Sequence, residues 1–247
     1  MEIKAVIFDL DGTLYESRHF PLRLILADPL HLRMLAAERR CRKMLQGKFF
    51  GGAEDYYSKL FFLMGSGSQT AASRCRKWFF ERYMPSQVKI IRERMTPRPG
   101  LKELLCGLRS AGCRVALLSD YSAVPEKLEA VGLSVEDFDK VWESPSLGGL
   151  KPCREVFLNA CAALGTAPCE TLMVGDKAAT DGGAAAAGLP VVLISKEPSR
   201  RLPASSCSNP IAASSRRLPL PGEICAMPWD MFIKSEENTL LRSDKVQ

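Results

Sequence analysis

Two aspartates that follow a short apolar segment are the residues of this chain best suited to chemistry. Asp9 and Asp11 come directly after the apolar residues 5–8, and Gly12 follows them. β-Branched and aromatic residues in a short run predict a buried strand, and glycine permits a sharp turn just beyond it. Residues two apart on an extended chain point to the same side, so both carboxylates could share one substrate or metal. Because Asp and Gly also favour ordinary turns, this pair alone leaves both interpretations open.

Three further polar elements occur later in the chain, each at the end of an apolar run. Ligands of open α/β sheets bind at the carboxyl ends of the strands, so such positions favour a shared site. The elements are, in order, Ser119 after residues 115–118, Lys151 in the segment 149–152, and Asp176 with Asp181 after residues 171–174.

Taken in this order, the four elements resemble the motifs of the haloacid dehalogenase superfamily, in particular its helical-capped phosphatases of the phosphoglycolate phosphatase type. The resemblance covers residues 5–194. It implies an α/β fold, a Rossmann-like doubly wound parallel sheet with an inserted all-helical cap. It also implies magnesium-dependent hydrolysis of a small phosphate ester through an aspartyl-phosphate.

The resemblance implies a role for each motif residue. Asp9 would attack phosphorus as the nucleophile, and Asp11 would move protons as general acid and base. Ser119 and Lys151 would bind the transferring phosphoryl group and stabilise its charge. Gly12 and the backbone amides around residues 119–121 would add hydrogen-bond donors to the substrate.

Magnesium is the cofactor that fits this set, because a hard cation prefers oxygen ligands. The resemblance implies that Asp9 and Asp176 bind it through their side chains and Asp11 through its main-chain carbonyl. Asp181 would be a weaker ligand, or it would contact the ligands and not the metal itself. Lys177 stands where the family commonly has a small polar residue, so it bears on the metal affinity.

Strand and helix patterns predict the domain organisation. From residue 100 onward, apolar runs alternate with helical stretches, which predicts a parallel sheet covered on both faces. The pattern includes a helix over about 180–187 and a final edge strand near residues 223–227. Residues 15–94 look helical throughout, with one long helix over about 69–94, and are predicted to be a cap inserted into a core formed by residues 1–14 and 95–247. Within that core, the Ser-, Pro- and Arg-rich residues 196–222 are predicted to be a flexible excursion.

Charge divides the chain in the same way. Residues 15–94 hold 16 Lys and Arg against 7 Asp and Glu, a net charge of +9, whereas the whole chain carries +6. The cap is predicted to set specificity, with Arg18 as a candidate substrate contact. The basic run at residues 39–43 either contacts substrate or is a solvated helix face.

Cysteine usage and hydropathy exclude several classes of protein. The nine cysteines include no C-x-x-C pair, so neither a zinc site nor a disulfide framework is predicted. No apolar run approaches the roughly 20 residues of a membrane span, and no membrane partner is expected. The charged start at residues 1–4 leads directly into the first strand, so no signal peptide is expected and the predicted location is the cytoplasm.

Other functions stay open. A phosphomutase could use the same residues and differ in how cap closure excludes water. A dehalogenase is disfavoured because that reaction needs no second acid like Asp11. A basic cap that binds nucleic acid or an acidic protein is the interaction-module alternative, although nucleic acid is not the expected partner. The sequence predicts neither the particular phosphate ester nor the oligomeric state.

Overall fold

The computed structural model describes residues 2–17, 19–195 and 218–239, with side chains through residue 235. Its centre is a six-stranded sheet of order β3-β2-β1-β4-β5-β6, in which every neighbouring pair is parallel. The predicted α/β fold with a doubly wound parallel sheet is confirmed. The strands are β1 (Ala5–Phe8), β2 (Arg114–Ser119), β3 (Lys140–Glu143), β4 (Thr171–Gly175), β5 (Val191–Ser195) and β6 (Ile224–Pro228).

Helices cover both faces of the sheet, as the alternating pattern predicts. Val6 and Phe8 of β1 belong to the apolar cluster on one face, and Ala5 and Ile7 belong to the cluster on the other. This alternation follows from the two-residue period of a strand. The helices are α1 (Phe20–Ala27), α2 (Leu32–Leu45), α3 (Ala53–Met64), α4 (Gln69–Trp78), α5 (Met84–Arg94), α6 (Leu101–Ser110), α7 (Val124–Ala130), α8 (Arg154–Leu164) and α9 (Trp229–Thr239).

Helices α1 to α5 lie between β1 and α6 and build a third apolar cluster, centred on aromatic side chains such as Tyr56, Phe61 and Phe79. The border of this cluster runs through α5, since Ile90 packs with the inserted helices while Ile91 packs with the sheet. The division of the chain into cap and core stays a prediction.

The two connections of the inserted helices lie side by side. Tyr15 forms an isolated bridge with Pro97, and the Arg98 amide donates to the Leu14 carbonyl at 2.8 Å. The Arg98 guanidinium also donates to the Thr13 carbonyl at 2.7 Å. The inserted segment therefore leaves and re-enters the sheet at one place.

Two helical predictions differ from the structure. The single long helix predicted over residues 69–94 is interrupted by a π-helical turn at Phe79–Tyr83. Pro85 follows it in the first turn of α5 and has no N–H to donate. The helix predicted over residues 180–187 is a 3₁₀ segment at Asp181–Ala187. Glycines and alanines follow Asp181 in it, and a β-carbon at Gly183 would overlap Pro152.

The end of the described chain follows the sequence prediction. The final edge strand predicted near residues 223–227 is β6, and a helix follows it. Most of the predicted excursion, residues 196–217, lies outside the described residues. None of the helices that the structure describes is long and apolar enough to cross a membrane.

Candidate active site

The sheet order brings the predicted motif residues to one edge. β1 lies between β2 and β4, so the residues after these three strands are neighbours. Asp9 follows β1, Ser119 ends β2, and Asp176 follows β4. All three stand at the carboxyl edge of a parallel sheet, next to the point where the strand order reverses direction.

Asp9 is buried and held on both carboxylate oxygens. Its Oδ1 accepts a hydrogen bond from Lys151 Nζ at 2.6 Å, and its Oδ2 accepts one from the Thr13 hydroxyl at 3.2 Å. Its backbone amide donates to the Val174 carbonyl of β4 at 2.8 Å. These contacts fix the carboxylate at the strand end.

Lys151 joins two of the acids. Its ammonium is buried and donates to Asp9 Oδ1 and Asp181 Oδ1, each at 2.6 Å, and to the Leu118 carbonyl at 3.2 Å. Burial lowers the pKa of Lys151, but the Asp181 and Asp9 carboxylates outweigh it and hold the pKa well above its usual range. A permanent positive charge therefore lies against Asp9.

Asp181 is a buried acceptor whose oxygens are already engaged. Its Oδ1 takes the Lys151 hydrogen bond, and its Oδ2 accepts from the backbone amides of Asp176 and Lys177 at 3.1 and 3.0 Å. A β-carbon at Gly175 would overlap the Asp181 side chain, so the strand end requires glycine. The role predicted for Asp181, a weaker ligand or a residue that contacts the ligands, stays a prediction.

Asp11 lies beside this cluster and turns its carboxylate to other partners. The Tyr15 hydroxyl donates to Oδ1, and Lys127 Nζ lies 3.3 Å from Oδ2. Lys127 is fully buried on α7, and its ammonium stands 5.0 Å from the centre of the Tyr121 ring. Two buried groups thus hold the predicted acid and base.

The two aspartates of the first motif differ in pKa. Burial raises the pKa of Asp9 to about 7, against the opposing effect of Lys151. Burial also raises that of Asp11, but Lys127 and the Tyr15 hydroxyl outweigh it, so its pKa is lowered. The predicted roles need the two aspartates in different protonation states, and their pKa values do differ. The order is reversed, however, because those roles need a neutral Asp11 and an ionised Asp9. A cation bound at Asp9 would favour its ionised form.

The acids fit an oxygen-liganded cation. Carboxylate oxygens of Asp9, Asp176 and Asp181 lie within 4.8 Å of one another. Asp176 Oδ1 is buried without a hydrogen-bond partner, and Gly12, at φ 108°, lets the Asp176 carboxylate approach where a β-carbon would overlap it. An unsatisfied oxygen among carboxylates suits a hard divalent ion.

Lys177 occupies part of this neighbourhood. Its ammonium lies 3.4 Å from Asp176 Oδ1 and donates to the Asp11 carbonyl at 3.3 Å. Burial lowers the pKa of Lys177, but Asp9, Asp176 and other acids outweigh it, so the pKa is raised. The ammonium therefore contacts two of the three oxygen groups predicted as metal ligands.

Ser119 is buried at the end of β2, and its Oγ accepts from the Tyr121 amide at 3.1 Å. The next residue connects the loop to the inserted helices, since Arg42 of α2 donates to the Asp120 carbonyl at 2.7 Å. The Arg42 guanidinium also lies 4.1 Å from the centre of the Tyr121 ring and pairs with the buried Glu38 at 2.5 Å.

The structure gathers seven of the eight predicted site residues at this edge. Arg18, the eighth, lies outside the described residues. Sequence reasoning missed Tyr15, Lys127 and the contact of Arg42 with the loop. One signal was available for Lys127, which lies on the apolar face of α7 with Val124, Leu128 and Val131 at helical spacing.

Comparison with known proteins identifies the family. The family model of haloacid dehalogenase-like hydrolases matches residues 3–188. The chain belongs to this family. The predicted superfamily and the predicted hydrolase class are confirmed, because the match covers the inserted helices and the first four strands of the sheet.

Relatives within this family catalyse different phosphoryl reactions. The chain is 26% identical to β-phosphoglucomutase of Bacillus subtilis, over 76% of this chain and 81% of the relative. It is also 26% identical to glyceraldehyde 3-phosphate phosphatase of Methanothermobacter thermautotrophicus, over 79% and 87% of the two chains. Among solved structures, a phosphatase of the haloacid dehalogenase superfamily from Thermococcus onnurineus is 21% identical, with a TM-score of 0.56 and coverage of 99% and 100%. That likeness shows a shared fold.

Proposed function

We propose that this member of the haloacid dehalogenase-like hydrolases is a magnesium-dependent phosphatase that acts on a small phosphate ester. The observation that carries the proposal is the pairing of buried Lys151 with Asp9 at the sheet edge, beside the Asp176 carboxylate. A carboxylate fixed against a cation at this edge is suited to attack phosphorus, whose oxygens need positive charge around them.

In the first step, an Asp9 carboxylate oxygen forms a bond to phosphorus while the bond from phosphorus to the leaving oxygen breaks. Asp11 gives a proton to that oxygen as it departs. Lys151 and Ser119 stabilise the phosphoryl oxygens as charge spreads over them. The products are the alcohol and an aspartyl-phosphate at residue 9.

In the second step, water attacks the phosphorus of the aspartyl-phosphate and gives its proton to Asp11. The bond between phosphorus and the Asp9 oxygen breaks, which releases inorganic phosphate and restores both carboxyl groups. Asp11 must point toward the reacting oxygen in each step, so its contacts with Tyr15 and Lys127 bear directly on the rate.

Asp9, Asp176 and the Asp11 carbonyl would hold magnesium. Asp176 Oδ1, which is buried and accepts no hydrogen bond, supports this assignment. When bound, the ion offsets the negative charge of the carboxylates and the substrate phosphate. Lys177 contacts the same oxygens and would have to move aside.

The β-phosphoglucomutase relative favours a mutase as the second candidate. A mutase would use the same residues but would return the phosphoryl group to another hydroxyl of the substrate instead of to water. Inserted helices that exclude water would decide between the two outcomes. Small phosphate esters and a cytoplasmic location stay part of the proposal.

A panel of phosphorylated metabolites and an aryl phosphate, assayed with magnesium and with excess chelator, tests the proposal. We expect release of inorganic phosphate that stops with chelator and returns when magnesium is added. Isomerisation of a sugar phosphate without phosphate release would favour the mutase. Full turnover in excess chelator, or no activity on any ester, would contradict the proposal.

A further inference from the structure

The first two inserted helices expose an unusual concentration of large apolar side chains. Of the twelve large apolar side chains exposed among the described residues, seven lie between positions 22 and 49. Leu26 is 71% exposed and Leu30 is 88% exposed. Isolated exposed leucines are ordinary, but a concentration of them marks an interaction surface. The other five are Leu22, Ile25, Leu32, Met44 and Phe49.

The exposed charges of the same segment are all positive. Residues 19–49 contain two acids, Asp28 and Glu38, and both are buried. Asp28 accepts from Trp78 Nε1 at 3.1 Å and contacts His31 at 2.6 Å, while Glu38 pairs with Arg42. Internal partners thus withdraw both negative charges from the surface. The exposed basic residues are Arg33, Arg39, Arg40, Lys43 and Lys48.

Helical spacing places much of this charge on one face. Arg33, Arg40 and Lys43 of α2 follow intervals of seven and three residues, which puts them on the same side of the helix. Exposed Leu32 and Met44 adjoin the two ends of this row. The exposed side chains of residues 22–44 are called the basic apolar surface below.

We propose that the basic apolar surface docks this protein on an anionic lipid membrane. Leucine and isoleucine side chains would enter the boundary between headgroups and acyl chains, and the arginines and lysine would contact anionic headgroups. This is attachment to the membrane surface, without a spanning helix. It goes beyond the expectation from sequence, in which no membrane partner is foreseen.

Charge and side-chain chemistry favour lipid over other occupants. A two-fold dimer places the same patch of both copies against each other, so four exposed cations on each would meet like charge with no exposed acid to offset them. Nucleic acid offers the required negative charge, but single strands are bound by aromatic stacking, and aliphatic leucines gain little beside phosphates. Anionic lipid satisfies both the apolar and the basic side chains.

Co-sedimentation of the full chain with vesicles tests the proposal. We expect binding to vesicles of phosphatidylcholine with phosphatidylglycerol, weaker binding at high salt, and little binding to phosphatidylcholine alone. The triple variant Arg33→Gln, Arg40→Gln, Lys43→Gln should lower the partition coefficient at least about tenfold, since each cation near such a surface contributes about 1 kcal/mol. A matched triple variant, Arg74→Gln, Lys102→Gln, Lys140→Gln, removes the same charge from other exposed sites and should bind like the wild type.

The apolar contribution needs its own variants. Leu26→Ser with Leu30→Ser should also weaken vesicle binding about tenfold, whereas Val135→Ser with Met231→Ser, two exposed positions elsewhere, should not. Leu30→Trp supplies a direct readout, because tryptophan emission shifts to shorter wavelength when the ring enters lipid. Circular dichroism would verify that each variant is folded.

Several outcomes would overturn the proposal. They are unchanged vesicle binding in both surface variants, equal binding to vesicles of phosphatidylcholine alone, no emission shift for Leu30→Trp, tighter binding to an oligonucleotide than to anionic vesicles, and a dimer that the Leu26→Ser and Leu30→Ser changes dissociate. All readouts are independent of phosphatase activity, so the proposed function can fail while this surface binds lipid, or the reverse.

Discussion

The Lys127 ammonium and the Asp11 carboxylate face each other at 3.3 Å across the gap between α7 and the loop after β1. Lys127 is fully buried, so this contact is shielded from solvent and from salt. The pair connects a helix outside the four motifs to the predicted acid and base. If Asp11 moves protons as proposed, we expect Lys127 to position it for that transfer.

Variants of the two aspartates of the first motif should be defective at different steps of the reaction. Asp9→Asn should abolish turnover, at least about a thousandfold or 4 kcal/mol, because an amide is a poor nucleophile. Asp11→Asn should still release the leaving group of an aryl phosphate in a burst, then turn over slowly for want of a base. Rapid-quench kinetics with intact-mass detection measure both.

Exposed Asp230→Asn serves as the matched control and should behave like the wild type. A phospho-adduct on the Asp9→Asn protein, or wild-type steady turnover of an alkyl phosphate by Asp11→Asn, would show that the roles are assigned wrongly.

Removal of the Lys127 ammonium should slow hydrolysis most for esters with poor leaving groups. Lys127→Met leaves Asp11 without one of its two partners, so we expect hydrolysis of alkyl phosphates to fall about a hundredfold, within the range of general acid–base catalysis. Aryl phosphates need little protonation and should lose less than about tenfold. A series of esters with leaving groups of graded pKa gives the comparison.

The conservative Lys127→Arg variant should recover part of the alkyl phosphate rate. Equal losses for all esters in Lys127→Met would instead indicate that Lys127 only stabilises the fold.

Lys177 should weaken magnesium binding. Its ammonium contacts Asp176 Oδ1 and the Asp11 carbonyl, the oxygens expected to ligate the ion. Lys177→Ser removes that positive charge, and we expect magnesium to bind at least about tenfold tighter, or 1.4 kcal/mol. Calorimetric titration at constant ionic strength measures the change, and Lys177→Arg, which keeps the charge, should not tighten binding. An unchanged affinity in Lys177→Ser would place the ammonium outside the metal site.

The buried Glu38–Arg42 pair should matter for stability. Arg42→Met leaves Glu38 charged and buried without its partner, which costs about 3–5 kcal/mol of unfolding free energy. The double variant with Glu38→Gln should recover most of this loss. Urea unfolding of the single and the double variant measures both effects; equal losses in the two variants would contradict the explanation.

Much of the fold follows from local sequence. Apolar runs such as residues 5–8 and 115–118 indicate buried strands, and their alternation with helices predicts the parallel sheet. The π-helical turn at Phe79–Tyr83 was missed because such turns are rare and a single turn long, and helical residues lie on both sides of it. The 3₁₀ segment at Asp181–Ala187 depends on close packing of small residues, which periodicity does not record.

The site was predictable where function depends on the ends of strands. Asp9, Ser119 and Asp176 stand in order along the chain, and strand order then brings them together. Lys127 and Tyr15 were missed because their effect depends on contacts across the fold. A lysine in the apolar stripe of α7 indicates a buried cation, but the sequence does not show which acid it contacts.

Tyr15 makes two contacts that connect the inserted helices with Asp11. Its backbone bridges Pro97 at the place where the inserted helices join the sheet, and its hydroxyl reaches Asp11. A rotation of those helices about their paired connections would carry the hydroxyl along with it. We therefore expect that a movement of the inserted helices also changes the orientation of the Asp11 carboxylate, because the Tyr15 side chain couples the two.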